Sequence, residues 1–180
     1  MYNFSEIHSK SGKLDYKTAI AMLNADEKKF LERAIFLSKQ GMESGQGGPF
    51  GCIIVKNNEI VGEGNNRVTS SNDPTAHAEV VAIREACKKL HTFQLEGCDI
   101  YTSCEPCPMC LGAIYWARPN RVIYANTREE AAEIEFDDDF IYNEINAPMH
   151  DRKIPFIHSP HPGAKEIFDA WKNWTGKTKY

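Results

Sequence analysis

The sequence predicts one α/β domain in which helices cover a mixed β-sheet. The first observation behind this fold class is the order of the periodic segments: a β-hairpin, then a helix, a strand, a second helix and a second strand. The second is size, because a chain of 180 residues with 42% hydrophobic residues can bury a sizeable core. The third is continuity, since neither a repeat nor a linker divides the pattern.

The first helix of the domain follows a polar N-terminal extension. Residues 1–25 show little periodicity, and we assign the domain to 26–180. Asn24 stands three residues before Glu27, a spacing typical of a helix start. Apolar residues then recur at helical spacing as far as Gly41, which predicts the end of this helix.

A β-hairpin is predicted next. The loop GQGGPFG (45–51) leads into an apolar run at 52–55, and EIVGEG (59–64) is typical of the returning strand. The glycine-rich loop lacks the Gly-Lys-Ser/Thr ending of a phosphate-binding loop, so we assign it no phosphate.

Two helices alternate with two strands after the hairpin. Pro74 suits the first turn of a helix over 74–90. The elements that follow are a strand at 98–103, a helix at 106–117 and a strand at 121–125. The apolar stripe expected to bury the first of these helices consists of Val80, Ile83, Cys87 and Leu90.

The remainder of the chain is less regular. Its predicted elements are a helix at 127–134, a strand at 154–159 and a helix at 165–174. The three prolines in IPFIHSPHPG (154–163) favour an extended segment. The last helix has an apolar stripe that must be buried, either on the chain's own sheet or on a second chain. This stripe consists of Ile167, Phe168, Trp171 and Trp174.

Composition and charge narrow the classes of partner. The net charge is −4 and the pI is near 5.9, whereas proteins that hold a polynucleotide usually carry a basic stripe. We therefore expect a small-molecule partner and no nucleic acid. The sequence shows no secretory signal and no apolar run of about 18 residues, so we expect a cytoplasmic protein without membrane contact. Thiols stay reduced in that compartment, which favours metal binding or catalysis over disulfides.

Three cysteines at steps of three lie in TSCEPCPMC (102–110). Cys107 and Cys110 begin a predicted helix, where they share a face and where the helix dipole favours thiolates. A catalytic zinc site needs about three protein ligands and one open position. His77, near the start of its own helix, is the candidate third ligand, and Glu79 lies two residues on. We expect the two helix starts to meet over one edge of the sheet, where open α/β sheets bind ligands.

A closed structural zinc site is the alternative interpretation. Cys104 is its candidate fourth ligand, beside His77, Cys107 and Cys110. The position of Cys104 at the end of a predicted strand argues against it, because that side chain would face away from the pair on the helix. Glu79 argues the same way, since a structural site has no use for a carboxylate beside an open coordination position.

Two motifs, His77-Ala78-Glu79 and Pro106-Cys107-Pro108-Met109-Cys110, match the H-x-E and P-C-x-x-C signature of zinc-dependent nucleobase deaminases. With them the chain resembles the cytidine deaminase superfamily and, within it, the small bacterial guanine deaminases. The resemblance extends to GGPFG (47–51), SNDPTAHAEV (71–80), SCEPCPMCLGAIYWARP (103–119) and FDDDFIY (136–142).

The resemblance implies a three-layer α/β/α fold in which Zn²⁺ is bound by His77, Cys107 and Cys110. It implies the hydrolytic deamination of guanine to xanthine and ammonia, with Glu79 as the proton shuttle. It also implies a homodimer in which the C-terminal segment, about 150–180, crosses to the partner and covers its active site.

Further site residues follow from the same resemblance. Asn66 would contact the base and Phe50 would wall or stack on it, although a turn residue and a core aromatic are the ordinary interpretations of these positions. Asp138 would meet the substrate amine, whereas an acidic run is ordinarily a solvated helix start. Trp116 and Tyr180 are the remaining pocket candidates, Tyr180 only if the tail is swapped, because chain ends are ordinarily disordered.

Two other classes of function compete with this one. The first is a related deaminase acting on guanosine, cytosine or a tRNA adenosine; the tRNA-editing branch normally has a basic surface, which the acidic balance of this chain disfavours. The second is a structural zinc module or an inactive partner subunit, against which Glu79 argues.

Overall fold

The computed structural model describes residues 23–136 and 138–178. Its strands are β1 (Gly51–Lys56), β2 (Glu59–Asn65), β3 (Cys98–Cys104) and β4 (Arg121–Asn126). They form one sheet in the order β2-β1-β3-β4. β1 pairs antiparallel with β2 and β3, with a register shift against β2 between Ile54 and Val55, and β3 pairs parallel with β4. The mixed sheet predicted from the sequence is therefore confirmed.

Helices cover both faces of this sheet. They are α1 (Ala25–Glu43), α2 (Val68–Ser71), α3 (Ala78–Leu90), α4 (Pro108–Ala117), α5 (Arg128–Ala132), α6 (Asp139–Asn146) and α7 (Pro162–Asn173), with a short 3-10 turn at Met149–Asp151. α1 packs on one face, and α3 and α4 pack on the other. The three-layer α/β/α fold is confirmed.

Two hydrophobic cores result from this layering. The buried residues between the sheet and the α3–α4 layer are Cys52, Ile54, Val61, Ala78, Ala82, Ala86, Leu95, Cys98, Ile100, Ile114 and Ala117. The buried residues beneath α1 are Ala34, Leu37, Ile53, Val55 and Tyr101. Ile53 and Ile54 thus belong to different cores, because successive side chains of a strand point to opposite faces.

The start of α1 agrees with the sequence, and its end does not. Asn24 Oδ1 accepts hydrogen bonds from two helix amides at 3.0 Å, and the Asn24 amide donates to Glu27 Oε2 at 2.8 Å. The helix continues past Gly41 to Glu43. A Cβ on Gly41 would lie 2.4 Å from Asn65 Nδ2, so this glycine permits a close contact and does not stop the helix. The predicted helix end at Gly41 is wrong for that reason.

α3 lies very close to β2 because both surfaces are made of small residues. Ala78, Ala82 and Ala86 are fully buried. A Cβ on Gly64 would lie 2.3 Å from the carbonyl oxygen of Ala78, and one on Gly62 would lie 2.5 Å from that of Ala82. The larger residues expected to form the buried stripe lie beside this contact and are only partly buried: Val80, Ile83, Cys87 and Leu90.

The chain beyond β4 packs little on the sheet. No residue described in α6 or α7 is buried. The apolar stripe of α7 is exposed, with Ile167 at 68%, Phe168 at 80%, Trp171 at 49% and Trp174 at 61%. The strand predicted at 154–159 is wrong, because this segment pairs with no strand of the described sheet and Ile157 is 88% exposed. None of the described helices combines the length and apolar character needed to cross a membrane.

Candidate metal centre and active site

The candidate metal ligands lie at the starts of two helices. His77 is the N-cap residue of α3 and Cys107 is the N-cap residue of α4, both with extended backbone. Cys110 lies in the first turn of α4. The predicted helix starts at 74 and 106 are therefore too early, since a turn at 74–75 and an irregular stretch precede α3, and an irregular stretch at 105–107 precedes α4. Standing before α3, His77 can reach the same point as Glu79, although residues two apart do not share a helix face.

The spacing of the three ligand atoms fits a zinc ion. Cys107 Sγ and Cys110 Sγ each lie 3.5 Å from His77 Nδ1, and all three atoms lie within 4.8 Å of one another. Tetrahedral zinc, with Zn–S of about 2.3 Å and Zn–N of about 2.0 Å, requires sulfur and nitrogen to be about 3.5 Å apart. One imidazole and two thiols are also ligands that zinc prefers. The zinc site inferred from the sequence is brought together by the fold.

The protonation of the two thiols favours metal binding. The Cys110 thiol hydrogen-bonds to Cys107 and lowers the pKa of Cys107 to about 4, against burial and with help from His77. The same hydrogen bond raises the pKa of Cys110, because the pair gives up its second proton with difficulty. These surroundings favour the thiolate at Cys107, and thiolate is the form that coordinates zinc.

Glu79 is a buried carboxylate beside these ligands. It is 6% exposed. The Thr102 hydroxyl donates to Glu79 Oε1 at 3.1 Å, and Cys110 Sγ lies 3.3 Å from Oε2. Burial raises the pKa of Glu79. A raised pKa brings a carboxyl group closer to the pH at which an enzyme works, which is the property that a general acid–base group needs.

Cys104 stands apart from the ligand cluster. Its thiol donates to the carbonyl oxygen of Thr127 at 3.7 Å, and burial raises its pKa to about 12. Among the described residues, only His77, Cys107 and Cys110 come together as a metal-binding group. A site of three ligands leaves one coordination position open, so the arrangement favours a catalytic site over a closed structural one.

A cavity of about 410 Å³ opens above the ligand cluster. The residues that line it are Gly48, Phe50, Asn66, Val68, Thr69, His77, Glu79, Cys104, Glu105, Cys107, Arg128, Ala131, Glu135, Phe136, Asp138, Phe140 and Ile141. Three of the substrate contacts expected from the resemblance are among them, namely Phe50, Asn66 and Asp138. The fold therefore brings these positions to the metal centre, as a substrate site requires.

Asn66 presents one end of its amide to the backbone. Its side-chain oxygen Oδ1 accepts from the Val68 backbone amide at 3.1 Å. The backbone amide of Asn66 donates to the Phe50 carbonyl oxygen at 3.0 Å, so the side-chain NH₂ group is not used there. The side chain is 5% exposed and lines the cavity. With Oδ1 engaged, Asn66 offers its NH₂ group, a donor, to a ligand.

Phe50 and Phe136 form an apolar wall of the cavity. Their ring centroids are 4.9 Å apart and the rings meet edge to face at 87°. Such aromatic pairs are stable arrangements and present a flat face to a planar ligand. Phe136 precedes α6, so this contact also ties the segment after β4 to the cavity.

Asp138 departs from the ordinary role of its position. It is the N-cap residue of α6, yet its side chain makes no capping hydrogen bond. It lines the cavity instead. Burial, and secondarily the Cys107 thiolate, raises the pKa of Asp138. The carboxyl group is thus placed to exchange protons with a ligand above the metal centre.

Two of the expected pocket residues are not at the cavity of a single chain. Trp116 is 64% exposed and is absent from the lining that the structure describes. Its helix buries Cys110, Ile114 and Ala117, which form the opposite face of α4. Tyr180 lies outside the described residues.

Other lining residues were missed by the sequence patterns. Arg128, Glu135 and Phe136 follow β4, where only a short helix was predicted. A usable signal was present, because Thr127 and Glu130 form a capping box that marks the start of α5. A short-range sequence pattern cannot predict that α5 lies at the same cavity as the metal ligands.

Comparison with known proteins matches residues 24–126 to the cytidine and deoxycytidylate deaminase zinc-binding region. The guanine deaminase of Bacillus subtilis (strain 168) is 56% identical over 151 residues, which cover 84% of this chain and 97% of that protein. The tRNA-specific adenosine deaminase of Aquifex aeolicus (strain VF5) is 36% identical over 142 residues, covering 79% and 91%. The X-ray structure of guanine deaminase from Bacillus subtilis gives a TM-score of 0.84 at 54% identity, covering 88% of this chain and 99% of that one.

Proposed function

The chain belongs to the cytidine and deoxycytidylate deaminase zinc-binding family, and on that premise we propose that it hydrolyses guanine to xanthine and ammonia. The reaction breaks the bond between C2 of guanine and its amine and forms a bond from C2 to a water oxygen. The observation that carries the proposal is the convergence of Glu79 and Asp138 on a three-ligand metal site within one cavity.

Zinc held by His77, Cys107 and Cys110 supplies positive charge that makes water a nucleophile near neutral pH. With zinc bound, the two thiolates would balance its charge while the imidazole stays neutral, and all three ligands stand at helix starts, where the positive ends of two helix dipoles lie. The protein therefore has to supply the proton transfers and the recognition of the base.

Glu79 is the proton shuttle. Thr102 holds its Oε1, whereas Oε2 points to the ligand cluster. As a metal ligand Cys110 is a thiolate with no proton to donate, so Oε2 is then available to accept a proton from water. Glu79 then delivers that proton to the ring nitrogen next to C2.

Asp138 assists the departure of the amine. The amine must gain a proton to leave as ammonia, and burial raises the pKa of the Asp138 carboxyl group, which favours the protonated form that can donate one. Asp138 lies in the same cavity as Glu79 but on the segment after β4. Separate carboxyl groups for water and amine avoid the need for one group to move between them.

Asn66 supports a base with a carbonyl group at the recognised edge. Because its Oδ1 is bonded to the Val68 amide, it offers a donor, which pairs with the O6 carbonyl of guanine and not with the 6-amine of adenine. A site built to pair with one group rejects an analogue that leaves its polar atoms unpaired. The wall of Phe50 and Phe136 suits the planar ring.

The charge of the cavity supports an uncharged base as substrate. Its lining contains the acidic residues Glu79, Glu105, Glu135 and Asp138. Arg128 is the one permanently cationic side chain among the lining residues described. Phosphate-bearing substrates, including a tRNA backbone, are disfavoured by this balance.

The proposal is tested by substrate comparison. The zinc-loaded protein is incubated with guanine, guanosine, adenine, cytosine and a tRNA carrying an adenosine in its anticodon loop, and ammonia release is measured. We expect release from guanine with xanthine as the product. Faster release from any of the others would replace guanine as the substrate, and release from none would contradict a deaminase.

We also propose that the chain forms a homodimer in which residues from about 150 onward cover the partner's cavity. α7 and its C-cap residue Trp174 carry four exposed large apolar side chains, and no described residue of the helix is buried. An isolated helix of 12 residues is marginal in water, so this face needs a surface to cover it. A second copy brings such a surface together with its own cavity. Because the ligands are thiols that must stay reduced, we propose the cytoplasm as the place of action.

A further inference from the structure

The helix that carries Asp138 is held over the cavity by few contacts. No described residue of α6 is buried, and Asp138 makes no capping bond with the helix. Burial in the core therefore does not fix the direction of its carboxyl group. Before Asp138 in the chain, the Phe136 ring meets Phe50. Tyr142, which follows Asp138 in the chain, has its ring covered by the guanidinium of Arg128.

Tyr142 shares a face of α6 with Asp138, because residues four apart are neighbours on a helix. The guanidinium carbon of Arg128 lies 5.2 Å from the centroid of the Tyr142 ring, within the range of a cation–π contact. A contact that fixes Tyr142 therefore fixes the direction in which Asp138 faces.

Arg128 is itself anchored beside the metal ligands. Its amide donates to Glu105 Oε2 at 3.2 Å, and the Glu105 amide donates to the Asn126 carbonyl at 2.8 Å. Glu105 lies two residues before Cys107. Thr127 caps the helix in which Arg128 is the first residue. The backbone at Arg128 is thus tied to the loop that carries Cys107.

We propose that Arg128 is a positioning residue, which holds the Tyr142 face of α6 and so keeps Asp138 directed at the metal centre. The inference rests on the proposed function, in which Asp138 meets the leaving amine. The planar guanidinium covers the ring, whereas a lysine ammonium is a point charge without that plane. Because Arg128 also lines the cavity, an action of its charge on the substrate is the competing explanation.

Variants that keep the positive charge at residue 128 but lose the planar guanidinium decide between positioning and a direct action of the charge on the substrate. Arg128→Lys keeps the charge and loses the plane, and Tyr142→Leu removes the ring. We expect each to lower kcat about tenfold with KM and zinc content little changed, below the roughly 100-fold attributed to a 1 Å displacement of a catalytic group. Tyr142→Phe keeps the ring and should retain most of the turnover. Wild-type kcat in Arg128→Lys would show that charge alone suffices and would overturn the proposal.

Coupling with Asp138 gives a second test. In an Asp138→Asn background, Arg128→Lys should cause no further loss of kcat, because no carboxylate remains to be positioned. Losses that multiply in the double variant would show independent action and contradict the proposal.

A measurement independent of turnover separates this inference from the proposed function. Amide hydrogen exchange at 139–146 of the zinc-loaded protein should accelerate in Arg128→Lys and Tyr142→Leu but not in Tyr142→Phe. The matched control is Arg33→Lys, whose guanidinium lies 5.3 Å from the Phe36 ring centroid on the other side of the sheet. It should leave both this exchange and kcat unchanged.

The outcomes of the two measurements are distinct. Unchanged exchange at 139–146 in Arg128→Lys would show that Arg128 does not hold α6. Faster exchange together with a wild-type protein that releases no ammonia from guanine would reject the proposed function and retain the structural role of Arg128.

Discussion

Replacing Gly64 with alanine should separate α3 from the sheet and disturb the active site at the same time. The new Cβ would lie 2.3 Å from the carbonyl oxygen of Ala78 and 2.7 Å from the amide of Ala82, whereas ordinary contact begins at 3.4 Å. The obstacle is helix backbone, which cannot rotate away. α3 must therefore retreat by about 1 Å, the difference between 3.4 and 2.3 Å.

The size of the effect follows from that displacement. Overpacking of this kind costs about 1–3 kcal/mol, which for a domain of this size lowers the unfolding midpoint by several degrees. Ala78 lies between His77 and Glu79, so both move relative to Cys107 on α4. A shift of about 1 Å in a catalytic group costs roughly 100-fold in rate. We therefore expect loss of both stability and turnover in Gly64→Ala.

The matched control is Gly112→Ala in α4. No atom lies within 4 Å of the Cβ position at Gly112. Alanine in a helix interior is more stable than glycine by about 0.5–1 kcal/mol, and both variants change the unfolded chain alike. Thermal unfolding, zinc content and ammonia release from guanine are measured for both proteins. The reasoning is refuted if Gly64→Ala unfolds and turns over like wild type.

Four other experiments test the site and the tail. Glu79→Gln should keep zinc and fold but lower kcat by about 10²–10⁴, the usual contribution of a general acid–base group; near-normal kcat would exclude Glu79 as the shuttle. Cys104→Ala should retain one zinc per chain while Cys107→Ala loses it, and metal analysis showing the reverse would change the ligand set. Asp138→Asn should lower guanine turnover far more than Asp139→Asn, whereas equal small effects would return the acidic run to a solvated helix start. Mixing Glu79→Gln chains with chains lacking the last residues should restore one working site per swapped dimer, since the truncated chain keeps Glu79 and borrows an intact tail; activity no greater than that of the two parents would show that the tail serves its own chain.

Local patterns predicted the metal ligands well because short-range geometry determines them. The pair Cys107 and Cys110 needs only a helix start, and His77 with Glu79 needs only another. The capping box at Asn24 is equally local. These patterns could not show that both helix starts lie at one edge of the sheet, with Cys107 Sγ 3.5 Å from His77 Nδ1. That placement depends on the order of the strands in the sheet.

The misjudged features depend on contacts between distant segments. Gly41 looks like a helix stop until Asn65 is placed against it, and the apolar residues of α3 look buried until Gly62 and Gly64 bring its alanines closer. The segment 154–159 has β-forming side chains, but no strand of the described sheet lies beside it. Arg128 escaped notice because its role depends on a fold-back of α6 that no periodicity encodes.

The position of β4 divides the cavity into two parts, one that the sheet and its helices carry and one that follows the sheet in the chain. All three ligands and Glu79 precede Asn126, the last residue of the described sheet. Phe136 and Asp138 follow it, on a segment whose described residues pair with none of the four strands. Segments outside a sheet accept insertions and deletions more readily than the strands do. Exchanging residues 127–146 as a cassette would therefore replace one wall of the cavity without breaking a ladder hydrogen bond of the sheet. Libraries confined to that cassette are a practical route to deaminases with altered base preference on this scaffold.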